Sequence, residues 1–82
     1  MSSVRTNAGQ WDSEWAAEKS AEALRWLARN YPECAASDAL RPHEDAAYRA
    51  ARDADKEGYL EALRAYMRAG RDAALKMRRE VA

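Results

Sequence analysis

Apolar positions recur with a helical period in three blocks along the chain, and the last block is the cleanest. Winding it at about 100° per residue puts Tyr59, Leu60, Ala62, Leu63, Tyr66, Met67, Gly70, Ala73, Ala74, Met77 and Val81 on one stripe. Glu61, Arg64, Arg68, Arg71, Asp72, Lys76 and Arg79 fall on the opposite side. The spacing predicts a helix over about 59–79. Gly70 lies in the middle of the apolar stripe, where a missing side chain lets another helix come close, so it reads as a packing notch.

The middle block is small-faced. Ala46, Ala47, Ala50, Ala51 and Ala54, with His43 at one end, line one side of a helix expected over about 42–55, while Asp45, Arg49 and Asp53 form an i, i+4 ladder outside. Pro42 suits the first turn, where its missing N–H has no partner to lose, and Glu44 and Asp45 add negative charge there. Buried alanine contributes only about 1 kcal/mol each, so the bulk of the packing must come from neighbours. Gly58 is the expected stop, as a left-handed cap; the alternative is one helix running through it, at a cost of about 1 kcal/mol relative to alanine.

The first block carries two apolar lines. Ala16, Ala17, Ser20, Ala21, Leu24, Leu27, Ala28 and Tyr31 make a core stripe on a helix expected over about 13–30, capped by Asp12 and ended by Pro32. Trp11, Trp15 and Trp26 project to another side, among Glu18, Glu22, Arg25 and Arg29. Trp15 and Trp26 are eleven residues apart, about three turns, and so share one line of the cylinder. A chain this short covers one such surface readily and both with difficulty. Tyr31–Ser37 reads as a connector with a short helical turn opening at Pro32, and residues 1–10, polar and without period, as a flexible, disordered tail.

Composition sharpens this picture. Of 39 apolar residues among 82, 20 are Ala, Phe and Ile are absent, Val occurs twice and Thr once, so the β-branched residues that suit a sheet are scarce. The expected fold is an all-α, small three-helix bundle forming a single helical domain over 11–82. Its core is thin, which predicts marginal stability or support by association. Lys and Arg number 14 against 14 Asp and Glu, which leaves no overall field toward nucleic acid or anionic membrane. The charge is uneven, with net −2 over residues 1–40, −1 over 41–59 and +3 over 60–82.

The chain has no apolar run near the roughly 20 residues a membrane span needs, and residues 1–10 have no apolar signal core. With the single Cys34, these features predict a cytoplasmic protein without an internal disulfide. Cys34 and His43 are the only soft-ligand or nucleophile candidates, nine residues apart across a loop. A metal site needs three or four ligands and a cysteine nucleophile needs a positioned base, so neither a metal, a cofactor nor catalysis is expected. Gly58–Ala69, with Ala62, Tyr66 and Ala69 at matching intervals, resembles the second helix of a tetratricopeptide unit. A single such unit fits here, whereas those arrays need about three, and no residue roles carry over.

The functional expectation is a small non-enzymatic protein-binding module. It would be an adaptor, regulator or inhibitor of the kind phages, plasmids and bacteria encode, docking a helical surface on a larger protein. Tryptophan is enriched at interface hot spots, so Trp11, Trp15, Glu22, Trp26 and Arg29 are the expected partner contacts, with a homodimer through the same surface as a variant of this reading. The alternative is a nucleic-acid-binding accessory protein. Arg64, Arg68 and Lys76 have acidic neighbours at helical spacing, which leaves Arg71, Arg78 and Arg79 as the expected anion or nucleic-acid contacts, with no aromatic residue interleaved among them.

Overall fold

The first helix, α1, covers Ser13–Asn30, the span the periodicity predicts. Asp12 starts it by accepting the Trp15 amide on its carboxylate at 3.0 Å, which satisfies one of the orphaned first-turn N–H groups. It ends at Tyr31, held out of the α region at φ −141° ahead of Pro32. Two short 3-10 turns, Pro32–Ala36 and Asp38–Leu40, lead into α2, Arg41–Arg52, and the long helix α3 covers Lys56–Val81. The structure, a computed structural model, describes residues 11–81, and no strand occurs among them; the predicted tail lies outside the described residues.

The α2–α3 boundary differs from the sequence expectation. The chain turns at Ala54, whose φ is 55°, and Gly58 is not left-handed. Asp55 N–H donates to Ala50 O at 2.8 Å and Ala54 N–H to Ala51 O at 3.1 Å, the two bonds of a Schellman C-cap with alanine where glycine is usual. Asp55 then caps the next helix, since its Oδ1 accepts the Gly58 amide at 2.9 Å. Gly58 thus sits in the first turn of α3, where an added methyl group would run into the Asp55 carboxylate. Asp55 closes one helix and opens the next, which is why α2 stops three residues before the predicted end and α3 begins three residues early.

Everything packs on α3. Tyr59 near its start contacts Ala16 near the start of α1, and Arg78 near its end contacts Asn30 at the end of α1, so α1 and α3 run parallel. Helix α2 returns antiparallel along α3: Leu40 clusters with Tyr66 and Ala74, and Ala50 with Tyr59. Helices α1 and α2 both lie on α3 and scarcely touch each other. The core is correspondingly divided, with Leu27, Cys34, Leu40, Tyr66 and Ala74 at one end and Ala16, Ala50 and Tyr59 at the other. Gly70 is the packing notch its position predicts: a Cβ there would stand 2.7 Å from Leu27 Cδ2 and 3.4 Å from Cys34 Sγ. On α3 the predicted stripe holds except at Val81, which lies past the last packing partner and is 87% exposed.

Helix α1 is rolled relative to the predicted stripe. The residues it buries are Ala16, Ala23 and Leu27, whereas Ala17, Leu24 and Ala28 are exposed. The buried line lies about 100° from Trp15 and Trp26 on one side and a similar angle from Leu24 on the other. With only α3 to pack against, α1 buries the seam between its two apolar lines, and each line is left as a flank.

Two stability measurements follow from these backbone constraints, both by urea unfolding of the full chain. Ala54→Gly relieves the left-handed alanine and should raise stability by about 0.5–1 kcal/mol. Gly70→Val pushes a branched side chain into Leu27 and Cys34 and should lower it by about 1–3 kcal/mol. An unchanged Gly70→Val midpoint would show that α1 does not seat in the notch.

Candidate functional site

The wedge between α1 and α2 is open, because the two helices splay apart over a common floor. Ala16, Ser20 and Leu24 form the α1 wall, His43, Ala47 and Tyr48 belong to the α2 wall, and Tyr59, Leu63 and Tyr66 of α3 form the floor of a groove of about 410 Å³. Leu24 is 52% exposed and Tyr48 77%, and apart from Val81 they are, among the described residues, the large apolar side chains that the fold leaves open. They stand on opposite walls of the same groove. Sequence reasoning placed Leu24 in the core and passed over Tyr48. The signal was present, since Tyr48 lies about 200° around α2 from Ala50 and so falls off the alanine face.

The groove has one polar end. Glu44 lines it together with Tyr66. Burial pushes the Tyr66 phenol above its ordinary range, and the Glu44 charge adds to the shift. At the other end Trp11 closes the groove, packed edge-on to Tyr59 at 5.1 Å and to Trp15 at 5.9 Å between ring centres.

The predicted indole line does not stand as one free ridge. Trp11 and Trp15 form an aromatic cluster with Tyr59, and the Lys56 ammonium sits 5.2 Å from the Trp15 ring centre. Trp26 lies three turns away, tilted against Tyr31 at 5.3 Å. All three rings are half-buried. Of the polar residues predicted beside them, Glu22 is exposed and 3.9 Å from Lys19, and Arg29 is exposed. The indoles serve the fold on their inner sides, and their covering comes from α3 and Tyr31, which α1's own periodicity cannot reveal.

The predicted trio of unpaired arginines is also redistributed. Arg78 grips Glu33 through Nε to Oε2 at 2.8 Å and Nη2 to Oε1 at 2.9 Å, and the same Nη2 donates to Asn30 O at 2.9 Å. Its guanidinium lies over the Tyr31 ring at 5.3 Å. Arg78 is therefore a strap that caps the C-terminal end of α1 from α3, not a free anion contact. Arg71 pairs with Asp72 at 3.1 Å, and Arg79 is exposed at the helix end. Conversely, Arg64 and Arg68, expected to be paired along the helix, make no ion pair among the described residues. Helical spacing finds partners within one helix, whereas Glu33 reaches Arg78 from the connector, 45 residues away in sequence.

Cys34 is buried, and desolvation, followed by the neighbouring Glu33 charge, raises its thiol above the ordinary cysteine range. That favours the unreactive thiol over the thiolate. Among the described residues no three His, Cys, Asp or Glu side chains gather where a metal could sit, and no helix is long and apolar enough to cross a membrane. Compared with protein-family profiles, curated proteins and solved structures, the chain matches none.

The Arg78 strap carries a pH signature. Its hydrogen bonds hold the Glu33 carboxyl below the usual value of 4.5, so its contribution is complete above the unfolded glutamate range and is lost as pH falls through the lowered value. The melting temperature of wild type should exceed that of Glu33→Gln at neutral pH, and the gap should close on acidification below pH 4.5. A gap that stays constant with pH would show that the charge on Glu33 does not matter.

Proposed function

We propose that this chain is a small non-enzymatic protein-binding module that takes an amphipathic helix of a larger protein into the groove between α1 and α2. The observation that carries this reading is the placement of Leu24 and Tyr48, both exposed, on facing walls of one groove. A groove walled by two helices and floored by a third is the recess a fourth helix would fill to complete a bundle, the helix-in-groove mode of recognition. Covering the 52% of Leu24 that is still exposed would contribute roughly 0.8–1.5 kcal/mol. Glu44 at the polar end fixes the occupant's chemistry further: an apolar stripe for the groove, with a basic side chain where it passes Glu44.

This reading moves the docking surface from the tryptophan line to the opposite flank of α1. Association by such a helix also fits the thin core, because binding only the folded state stabilises it. The chain would act as an adaptor, regulator or inhibitor according to what the captured helix does in its own protein.

Replacing Tyr48 with the photo-crosslinker p-benzoylphenylalanine in the native host tests this directly. Irradiation should join the chain to a helical segment of another protein, and a Leu24→Glu change in the same chain should abolish the product while leaving the circular dichroism melt unchanged. Cross-links solely to a second copy of the chain, or none at all, would overturn the proposal.

A further inference from the structure

Helix α1 has a second open flank, about 160–200° around its axis from Leu24, and its chemistry is different. There Trp26 meets α3 at two adjoining hollows that share Trp26, Arg64 and Met67. Leu60 continues the apolar floor of one hollow, and Arg68 and Arg71 rim the other. Arg64 and Arg68 are exposed, one turn apart, and neither forms an ion pair among the described residues.

The furrow thus combines an indole and an unbranched thioether, which adapt to varied apolar shapes, with two unneutralised guanidiniums and a third, Arg71, whose neighbour Asp72 is 68% exposed. The two hollows are lined by four basic side chains, Lys19, Arg64, Arg68 and Arg71, and one acidic one, Glu22, which lies against Lys19. Asp72 lies against Arg71, and Asp55, Glu57 and Glu61 share a neighbouring hollow with Arg64 without forming an ion pair to it. Net zero charge for the whole chain conceals this local excess.

We propose that the Trp26–Met67 furrow is a second docking surface, for an acidic amphipathic helix that seats an apolar side chain on Trp26 and Met67 and sets two carboxylates against Arg64 and Arg68. Two carboxylates at i and i+4 on the incoming helix match the one-turn spacing of the two arginines. The inner side of Trp26 is occupied by Tyr31, which leaves less ring face for base stacking and favours a peptide over a single-stranded nucleic acid. The furrow goes beyond the α1–α2 groove and does not depend on it. With both surfaces occupied, α1 would be sandwiched between a helix that places a basic side chain at Glu44 and a helix that places acidic ones at Arg64 and Arg68.

The test uses the isotope-labelled full chain and three probes: a 15-residue Glu/Leu amphipathic peptide, its all-Gln counterpart, and a 12-residue oligothymidylate. The Glu/Leu peptide should shift the Trp26 indole N–H resonance and bind about five- to tenfold more weakly to Arg64→Gln/Arg68→Gln, with binding falling as salt rises. Leu24→Glu/Tyr48→Glu, which disables the other groove, should bind this peptide as wild type does, so failure of one surface is read separately from failure of the other. Equal binding of the all-Gln peptide, a shift with the oligonucleotide alone, or no shift of Trp26 with any probe would overturn the proposal.

Discussion

Leu27 seated against Gly70 is the contact on which the rest of the molecule turns. Most of the side chains this sequence can bury are alanines, so helices must come close to gain anything from packing, and the missing Cβ of Gly70 is what lets α1 approach α3. Once Leu27 points inward, the roll of α1 is fixed. Ala16 and Ala23 follow it onto α3, the indoles are carried to one flank, and Leu24 to the other. Both proposed docking surfaces are consequences of that one orientation.

Polar contacts at the two ends then hold the register. Tyr59 donates its hydroxyl to Ala16 O at 3.1 Å, and Arg78 reaches Asn30 O and the Glu33 carboxylate. A hydrogen bond to a helical carbonyl specifies position along an axis in a way that alanine faces cannot, because sliding one alanine row over another costs little. Tyr59 therefore serves twice, by filling volume in a core with no Phe or Ile and by carrying a directional bond.

Much of the fold could be read along the chain. The stripe from Tyr59 to Met77, the Asp12 cap, the break at Pro32 and the notch at Gly70 are local features, and local periodicity and turn chemistry report them. The turn between α2 and α3 was misread because glycine at Gly58 is the usual marker of a left-handed cap, whereas here Ala54 takes that conformation and Asp55 supplies the caps on either side. Periodicity shows that α1 has two apolar lines, but which of them faces inward depends on what α3 offers, a fact located more than 30 residues away. The candidate surfaces were harder still. Trp26 and Glu22 do border the furrow that Arg71 rims, but the free cations beside them are Arg64 and Arg68, and Arg78 is engaged by a carboxylate from the connector.

The orientation of α1 can be measured without any partner. In a methyl-labelled sample, nuclear Overhauser contacts from the Leu27 methyls to the Gly70 α-protons, with none from the Leu24 methyls to Gly70, are the expected result. Contacts from Leu24 to Gly70 with Leu27 free in solvent would mean that α1 is rolled the other way, and both surfaces would then be buried or rearranged.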